Sequence, residues 1–238
     1  MTKSLISIKD QEYLVNLPSS LACKDPQLPG LDTFLFAHGA GAPMDSDYME
    51  KVANLLAEEG LRVVRFEFPY MRQRREDGKK RPPNRENICL KTWQQAIEDW
   101  HDRGNIFIAG KSMGGRMASI LASKNNELQL PIKAVFCLGY PFHAPGKTDK
   151  WKTDHFVDIT LPTLILQGDR DPFGKSEEIS QLQVDNPHWP NRDKTGSISI
   201  TWVPDGDHNF KPRVKSGHTH DENLSSVAKK ISTYIRNS

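Results

Sequence analysis

A strand-like run leads directly into a glycine-rich turn at residues 105–117, which read NIFIAGKSMGGRM. Gly-Lys-Ser also ends the phosphate-binding P-loop, but that motif requires a glycine five positions before Gly110, where this chain has Asn105. Residues 106–109 are apolar, β-branched or aromatic, which predicts a buried strand and not a phosphate cradle. The segment is therefore expected to fold as a strand followed by a sharp turn.

Residues 110–114, GKSMG, match the pattern G-x-S-x-G of a nucleophile elbow. In an elbow, a tight turn between a strand and a helix pushes the central serine outward. Apolar side chains at helical spacing, Met117, Ile120 and Leu121, predict the helix that an elbow requires. A glycine-rich turn without chemistry fits the same pattern until partner residues are found. Ser112 is thus a candidate nucleophile.

Composition excludes several classes of protein. The 238 residues are 37% hydrophobic and 26% charged, which is typical of a globular protein, and neither the amino terminus nor any later run predicts a signal peptide or membrane span. Cys23, Cys89 and Cys137 are far apart and lack metal-type spacing, so we expect reduced thiols, a cytoplasmic location and no membrane partner. The net charge of +2 does not favour a nucleic-acid partner.

One segment departs from this even charge. Residues 72–85, RQRREDGKKRPPNR, carry seven basic side chains, a pattern that usually indicates a solvated loop. The segment follows a predicted strand, so its charges could also overhang a site at the edge of the sheet. Fixed positive charge near a cleft favours anionic ligands. We therefore consider an anionic substrate, selected by Arg72, Arg74, Arg75, Lys79, Lys80 and Arg81.

Strand and helix patterns alternate along the chain, which predicts an α/β fold with a mainly parallel central sheet covered by helices on both faces. The amino-terminal segments LISI and EYLV could add an antiparallel hairpin at one edge. No linker-like composition shift occurs, so residues 1–238 are expected to form a single domain. The predicted core strands are LDTFLFAHGAG, LRVVRFEFPY, NIFIAG, IKAVFCLGYPF, LPTLILQGDRD and SISITWVPDGDH.

The helices are predicted from apolar residues at three- and four-residue spacing. For the first helix, Asp47 and Glu50 form a possible capping pair and Gly60 a stop signal. Arg65 and Glu67 lie on one face of the second core strand, where a structural ion pair is the favoured interpretation. The helix faces are Met49, Val52, Ala53 and Leu56; Cys89, Trp93, Ala96 and Trp100; and Leu224, Val227, Ala228, Ile231 and Ile235.

Reactive side chains follow several of the predicted strands, at the sheet edge where ligands of α/β proteins bind. Ser112 comes first, GDRDP with Asp169 and Asp171 comes second, and DGDH with His208 comes last. A serine hydroxyl needs an imidazole to remove its proton and a carboxylate to orient that imidazole. The chain order Ser, Asp, His is that of α/β-hydrolase triads.

Each of these assignments has an alternative. Asp169 could be the orienting acid, and Asp171 could only cap a helix, but Asp171 lies deeper in its loop and is favoured. His208 is favoured over the other histidines because it alone closes the last strand. Two histidines at 218–221 suggest a metal site, but a solvated loop is the better interpretation, so no metal is predicted.

The turn after the first core strand, HGAG at residues 38–41, supplies the remaining element. Attack on a carbonyl creates an oxyanion, which backbone N–H groups stabilise best. We predict that the Ala40 and Met113 N–H groups form this oxyanion hole, although a plain glycine turn fits the same residues. The predicted substrate-binding side chains are His38, Tyr70, Arg72 and His143.

Six motifs together resemble the dienelactone-hydrolase-like branch of the α/β-hydrolase superfamily, in particular its KANL/Tex-type members. They are FAHGAGAPMDS, VVRFEFPYM, GKSMGGRMAS, LGYPFHAPGK, LQGDRDPFG and DGDHNFKPR, and the resemblance runs from about residue 34 to the closing helix. It implies an α/β-hydrolase sheet with Ser112 as nucleophile, Asp171 as acid and His208 as base. Dienelactone hydrolases use cysteine as nucleophile, so the serine disfavours dienelactone as the substrate.

The sequence predicts a serine hydrolase that cleaves an ester, thioester or similar acyl bond of a small molecule through an acyl-enzyme on Ser112, without a cofactor. Only the short segment HAPGKTDKWKTDHF is available to cover the site, so the lid is expected to be short or absent. The competing hypothesis is a non-catalytic protein-interaction module on a hydrolase scaffold, because some eukaryotic relatives are subunits of chromatin complexes.

Overall fold

The computed structural model describes residues 2–21, 24–185, 189 and 198–237. Eight strands form one sheet in the spatial order β1-β2-β4-β3-β5-β6-β7-β8, in which β1 and β2 are antiparallel and β3 to β8 are parallel. The predicted edge hairpin is therefore present. The strands are β1 Thr2–Ile8, β2 Gln11–Leu17, β3 Thr33–Ala37, β4 Arg62–Phe66, β5 Ile106–Lys111, β6 Ile132–Leu138, β7 Thr163–Gly168 and β8 Ile198–Val203.

Helices connect the parallel strands. Helix α1 begins after Ser46, whose side chain makes no capping bond, so the predicted Asp47 and Glu50 capping pair is wrong; both residues lie in the first turn. The helices are α1 Asp47–Glu58, α2 Pro69–Asp77, α3 Glu86–Trp100, α4 Met113–Ser123, α5 Asn125–Leu128, α6 Ser176–Asp185 and α7 His220–Arg236.

Strands β3 to β7 are almost entirely buried on both faces, which explains their nearly continuous apolar sequences, whereas the edge strand β8 is half-buried. Alternate side chains of a strand point to opposite faces. Phe34 and Phe36 of β3 accordingly pack with α1 and α7, whereas Leu35 and Ala37 pack with α3 and α4. Burial of one large apolar side chain contributes about 1.5–3 kcal/mol, so the two layers hold the strand ends in fixed positions. The predicted α/β fold class is confirmed.

Successive strands are added on opposite sides of β3: β4 lies on one side of it and β5 on the other. The chain passes from β3 outward to β4, and then returns to β5 on the other side of β3. Ala37 pairs with Gly110 at the carboxyl ends of these neighbouring strands. Such a reversal opens a crevice beyond the strand ends, which is where ligands bind in open α/β sheets. The turns at residues 38–41 and 110–115 flank this crevice.

The basic segment is a loop only in its second half: residues 78–85 have no regular secondary structure and most of them are exposed, as the loop interpretation predicted. Residues 69–77 form α2, with Pro69 in its first turn and Gly78 in a left-handed conformation at its end. Arg65 and Glu67 both form structural ion pairs, as favoured over a catalytic role, but not with each other. Arg65 instead bonds Glu50 at 2.8 Å, and Glu67 bonds Arg75 at 2.6 Å, because the two long side chains reach α1 and α2.

Two further predictions concern the cysteines and membrane-spanning segments. Cys89 and Cys137 are buried free thiols, whereas Cys23 lies outside the described residues. Within the described part of the chain, no helix combines the length and the apolar character needed to cross a bilayer. The assignment of residues 1–238 to a single domain stays a prediction.

Candidate active site

Ser112 lies in a strained turn between β5 and α4. Its backbone has φ 51° and ψ −115°, a conformation that costs a non-glycine residue about 1–3 kcal/mol. The turn closes so tightly that a Cβ on Gly110 would lie 2.1 Å from the carbonyl carbon of Gly114. A Cβ on Gly114 would lie 2.6 Å from the carbonyl oxygens of Ala37 and His38. Glycines are therefore required at both positions to bring the elbow against β3.

A chain of two hydrogen bonds joins Ser112, His208 and Asp171. His208 Nε2 lies 2.9 Å from Ser112 Oγ, and His208 Nδ1 lies 2.7 Å from Asp171 Oδ2. Because an ionised carboxylate only accepts, Nδ1 carries the proton and Nε2 accepts from the serine hydroxyl. The structure thus brings together the three residues that the sequence analysis selected, in a geometry that suits proton transfer from Ser112 to His208.

Asp171 is buried and its carboxylate is fully engaged. Besides His208, its oxygens accept from Gln167 Nε2 and from the Phe173 N–H, both at 2.9 Å. These bonds fix the carboxylate relative to the imidazole. The sequence analysis missed Gln167, although a glutamine in the apolar strand LPTLILQG was a usable signal.

The sequence analysis also considered Asp169 as the orienting acid, Asp171 as a helix cap and a metal site. Asp169 accepts from the Asp205 N–H at 2.9 Å and so supports the neighbouring loop, whereas the carboxylate bonded to His208 is that of Asp171. Asp171 does not cap α6, which begins at Ser176. Among the described residues, no group of three or more His, Cys, Asp or Glu side chains is arranged to hold a metal ion.

Two backbone N–H groups were predicted to form the oxyanion hole. Met113 is the first residue of α4, and the first N–H groups of a helix have no partner inside the helix. The second turn lies beside the serine, since a Cβ on Gly39 would be 3.7 Å from Ser112 Cβ. Gly39 and Met113 therefore both lie beside Ser112, and the oxyanion hole formed by the Ala40 and Met113 N–H groups stays a prediction.

His38 and Tyr70, which were predicted to bind substrate, both bond the turn at residues 38–41, which we call the oxyanion turn after its predicted role. His38 is fully buried; its Nε2 accepts from the Phe68 N–H at 3.1 Å, and its Nδ1 donates to the Gly39 carbonyl at 2.6 Å. Burial lowers the pKa of His38, so the neutral form with a proton on Nδ1 is favoured. The Tyr70 hydroxyl donates to the carbonyls of Gly39 and Ala40 at 3.3 and 3.0 Å.

These bonds determine the direction of the neighbouring N–H groups. The C=O and N–H of a trans peptide point in opposite directions. Because the Gly39 carbonyl is held by His38 and Tyr70, the Ala40 N–H of the same peptide unit must point away from both side chains. Hydrogen bonds to the carbonyl also polarise the peptide and strengthen its N–H as a donor.

The arginines of α2 face different partners. Arg74 donates to the Gly41 carbonyl at 3.0 Å and is the third side chain that bonds a carbonyl of the oxyanion turn. Arg72 instead donates to the Asp10 carbonyl in the β1–β2 turn at 2.8 Å. Arg75 bonds both Asp45 and Glu67. The structure therefore does not bring Arg72 to Ser112, and Arg74 was missed as a contact of the turn.

His143, the remaining predicted substrate-binding residue, is also buried. Its Nε2 lies 3.3 Å from Glu178 Oε2, and its ring packs edge-on against Trp151. Its backbone N–H donates to the Phe173 carbonyl at 3.1 Å, and the Phe173 ring lies 4.4 Å from the His208 ring. His143 thus supports the wall that contacts the imidazole and does not itself line the crevice.

The serine and the imidazole are open to solvent. Ser112 is partly exposed, and 22% of the His208 side chain is accessible. The segment between β6 and β7 contains a short 3-10 helix, Asp154–Asp158, that packs on α4. This arrangement agrees with the predicted short lid.

Comparison with known proteins gives a family match and several structural neighbours. A family model described as an alpha/beta hydrolase domain matches residues 31–236. The rat protein ABHD14B, provisionally named a protein-lysine deacylase, is 28% identical over 130 residues, which are 53% of this chain and 57% of the relative. The alignment therefore spans little more than half of that relative.

Two solved structures illustrate the likeness in fold. A dienelactone hydrolase from Anabaena variabilis has 16% identity and a TM-score of 0.65, with 99% of this chain and 96% of that chain covered. The protein XC6422 from Xanthomonas campestris, described as an α/β serine hydrolase without a lid, has 16% identity and a TM-score of 0.64, with 100% and 95% covered. At such identities the likeness concerns the fold.

Proposed function

The chain belongs to the alpha/beta-hydrolase domain family, and from this premise we propose that it is a serine hydrolase that cleaves an ester, thioester or similar acyl bond. Dienelactone hydrolases are among the solved structures with this fold, in agreement with the predicted branch of the superfamily. The observation that carries the proposal is the bonded chain from Ser112 Oγ through His208 to Asp171.

In the proposed reaction, Ser112 Oγ attacks the carbonyl carbon of the substrate while His208 Nε2 takes the hydroxyl proton. Asp171 stabilises the resulting imidazolium and keeps its orientation. The Ala40 and Met113 N–H groups donate to the oxyanion. The tetrahedral intermediate then expels the leaving group, which receives the proton from His208, and an acyl-enzyme remains. A water molecule, deprotonated by His208, attacks this ester and restores the serine.

The substrate class follows from the open crevice and from the relatives. A partly exposed serine without a covering helical lid admits acyl groups of varied size, so we propose a small-molecule acyl substrate. The name of the rat relative adds acylated lysine side chains to the candidates. Selection of anions by the basic segment receives less support, because Arg75 and Arg81 already bind carboxylates and Arg72 and Arg74 bind backbone carbonyls.

The nucleophile can be tested without knowledge of the substrate. A fluorophosphonate probe should label Ser112 in the folded protein, and the label should be absent from Ser112→Ala. Ser180→Ala, a change at an exposed serine of α6, is the matched control and should label normally. An unlabelled but folded wild-type protein would favour the non-catalytic interaction module instead.

A panel of acyl esters, thioesters and acyl-lysine peptides then identifies the bond that is cleaved. On the best substrate, Ser112→Ala should lower turnover by up to about a millionfold, the scale for loss of a triad nucleophile. Asp171→Asn should lower turnover by about ten-thousandfold, because the imidazole would adopt the wrong tautomer. Asp169→Asn is the control and should have a far smaller effect; the reverse ranking would reassign the acid.

A further inference from the structure

Lys111, the residue before the proposed nucleophile, is almost completely buried. It is the last residue of β5, and only 6% of its surface is accessible. Burial lowers the pKa of its ammonium to about 7, although Asp171 and Asp207 act in the opposite direction. A buried ammonium loses its hydration and must find other partners. The contacts of Nζ therefore indicate what this side chain does.

The Nζ atom binds the main chain of the proposed base. It donates to the His208 carbonyl at 2.6 Å, across a sequence separation of 97 residues. It also lies 5.5 Å from the centroid of the Tyr48 ring, a distance at which an aromatic face attracts a cation. No carboxylate of the described residues lies within ion-pair distance of Nζ, so the bond to the carbonyl is its specific contact.

The surrounding backbone leaves space for this bond. Gly139, directly after β6, has φ 64°. A Cβ at this position would lie 2.8 Å from both Lys111 Nζ and the His208 carbonyl oxygen. Segments that follow or end three strands thus meet at the bond: Lys111 ends β5, Gly139 follows β6, and His208 lies in the loop after β8.

We propose that Lys111 is a positioning residue, which ties the main chain of His208 to the elbow and so keeps Nε2 within hydrogen-bond distance of Ser112 Oγ. This inference rests on the proposed function, since it assigns Lys111 a role in the same reaction. Lys111 acts through His208 and not as a base itself, because its Nζ is bonded to a carbonyl and the bonded partner of Ser112 Oγ is His208 Nε2.

The inference predicts a loss of reactivity without a loss of folding. Lys111→Met keeps most of the side-chain length but removes the donor. Because misplacement of a catalytic group by about 1 Å can cost about a hundredfold, fluorophosphonate labelling of Ser112 and kcat should fall by about 10- to 100-fold. KM should change little, because no substrate contact is removed. Removal of a buried charge should leave the urea unfolding midpoint unchanged or raised.

Two variants serve as controls. Lys111→Arg retains a long cationic donor and should recover part of the labelling rate, which a purely structural role would not predict. Lys133→Met changes an exposed lysine at the start of β6 and should behave as wild type. Should Lys111→Met fail to fold, Lys111→Leu tests the same loss of the donor.

The outcomes separate this inference from the proposed function. Absence of labelling in the wild-type protein would remove the proposed function. Normal labelling of wild type together with wild-type labelling rates in folded Lys111→Met or Lys111→Leu would overturn only the role of Lys111. Slow labelling of the folded variants, with partial recovery by Lys111→Arg, is the result that supports it.

Discussion

The two turns that meet at Ser112 keep their shapes in different ways. The elbow turn, residues 110–115, is held by direct contact between backbone segments, because its glycines leave no space for a Cβ. The oxyanion turn, residues 38–41, is held by side chains that bond its carbonyls, namely His38, Tyr70 and Arg74. The elbow is therefore specified by a local sequence, whereas the oxyanion turn depends on a helix that begins about thirty residues later.

The largest effect is expected from a glycine substitution in the elbow turn. In Gly110→Ala the added Cβ would lie 2.1 Å from a backbone atom, so the strand and helix must separate. We expect loss of Ser112 labelling together with a strong fall in unfolding free energy, measured by urea denaturation. Gly41→Ala in the oxyanion turn is the matched control, since nothing lies within 4 Å of its new Cβ and it should be nearly neutral.

The next largest effect is expected from His38. His38→Leu keeps a buried side chain of similar size but removes the donor to Gly39 and the acceptor for Phe68. Loss of one oxyanion donor costs about 10²- to 10³-fold in kcat, and misdirection of the Ala40 N–H should approach the lower end of that range. Single-turnover kinetics on the folded variant measure this fall in the rate of the chemical step. A wild-type rate would show that the carbonyl bonds do not orient the turn.

Tyr70 should contribute less, because it shares the Gly39 carbonyl with His38. Tyr70→Phe removes only the hydroxyl and keeps the buried ring. We expect kcat to fall by about tenfold or less, with KM unchanged, and the unfolding free energy to fall by about 1 kcal/mol, the usual net value of one hydrogen bond. A change confined to KM would instead support the earlier assignment of Tyr70 as a substrate contact.

Arg74 should have the smallest effect, since its bond to the Gly41 carbonyl is at the exposed end of the turn. Arg74→Met should lower kcat by a few-fold, in line with about 0.5–1.5 kcal/mol for one hydrogen bond. Arg72→Met is the control on the same helix, because Arg72 bonds the distant Asp10 carbonyl. Equal effects of the two variants on kcat would mean that charge, and not contact with the turn, is responsible.

The sequence predicted the parts of the site that depend on local pattern. G-x-S-x-G between a strand and a helix located the elbow, and the rule that ligands bind at strand ends led to Asp171 and His208. The topology then required these residues to meet at one edge of the sheet. Long apolar runs likewise predicted the core strands, because burial on both faces leaves little alternative composition.

The sequence did not predict which way the supporting side chains point. Residues 72–77 were interpreted as part of a loop from their charge, although Pro69 at a helix start and Gly78 at a helix end were usable signals for α2. His38 and Tyr70 were assigned to the substrate from their positions near the predicted site. Their side-chain directions depend on how α2 packs against the oxyanion turn, which the sequence does not show. Such contacts join residues about thirty positions apart, and no short pattern encodes them.

The strained backbone of Ser112 affects which residue evolution would be expected to select at position 112. At φ 51° and ψ −115°, a glycine backbone would be unstrained, whereas a serine backbone is strained by its Cβ. Selection for durability alone would therefore favour glycine at position 112, since relief of the strain is worth about 1–3 kcal/mol. Under the proposed function, serine at this position reflects selection for reactivity at the expense of stability. Ser112→Gly should therefore be inactive and should unfold at a higher temperature than the wild-type protein.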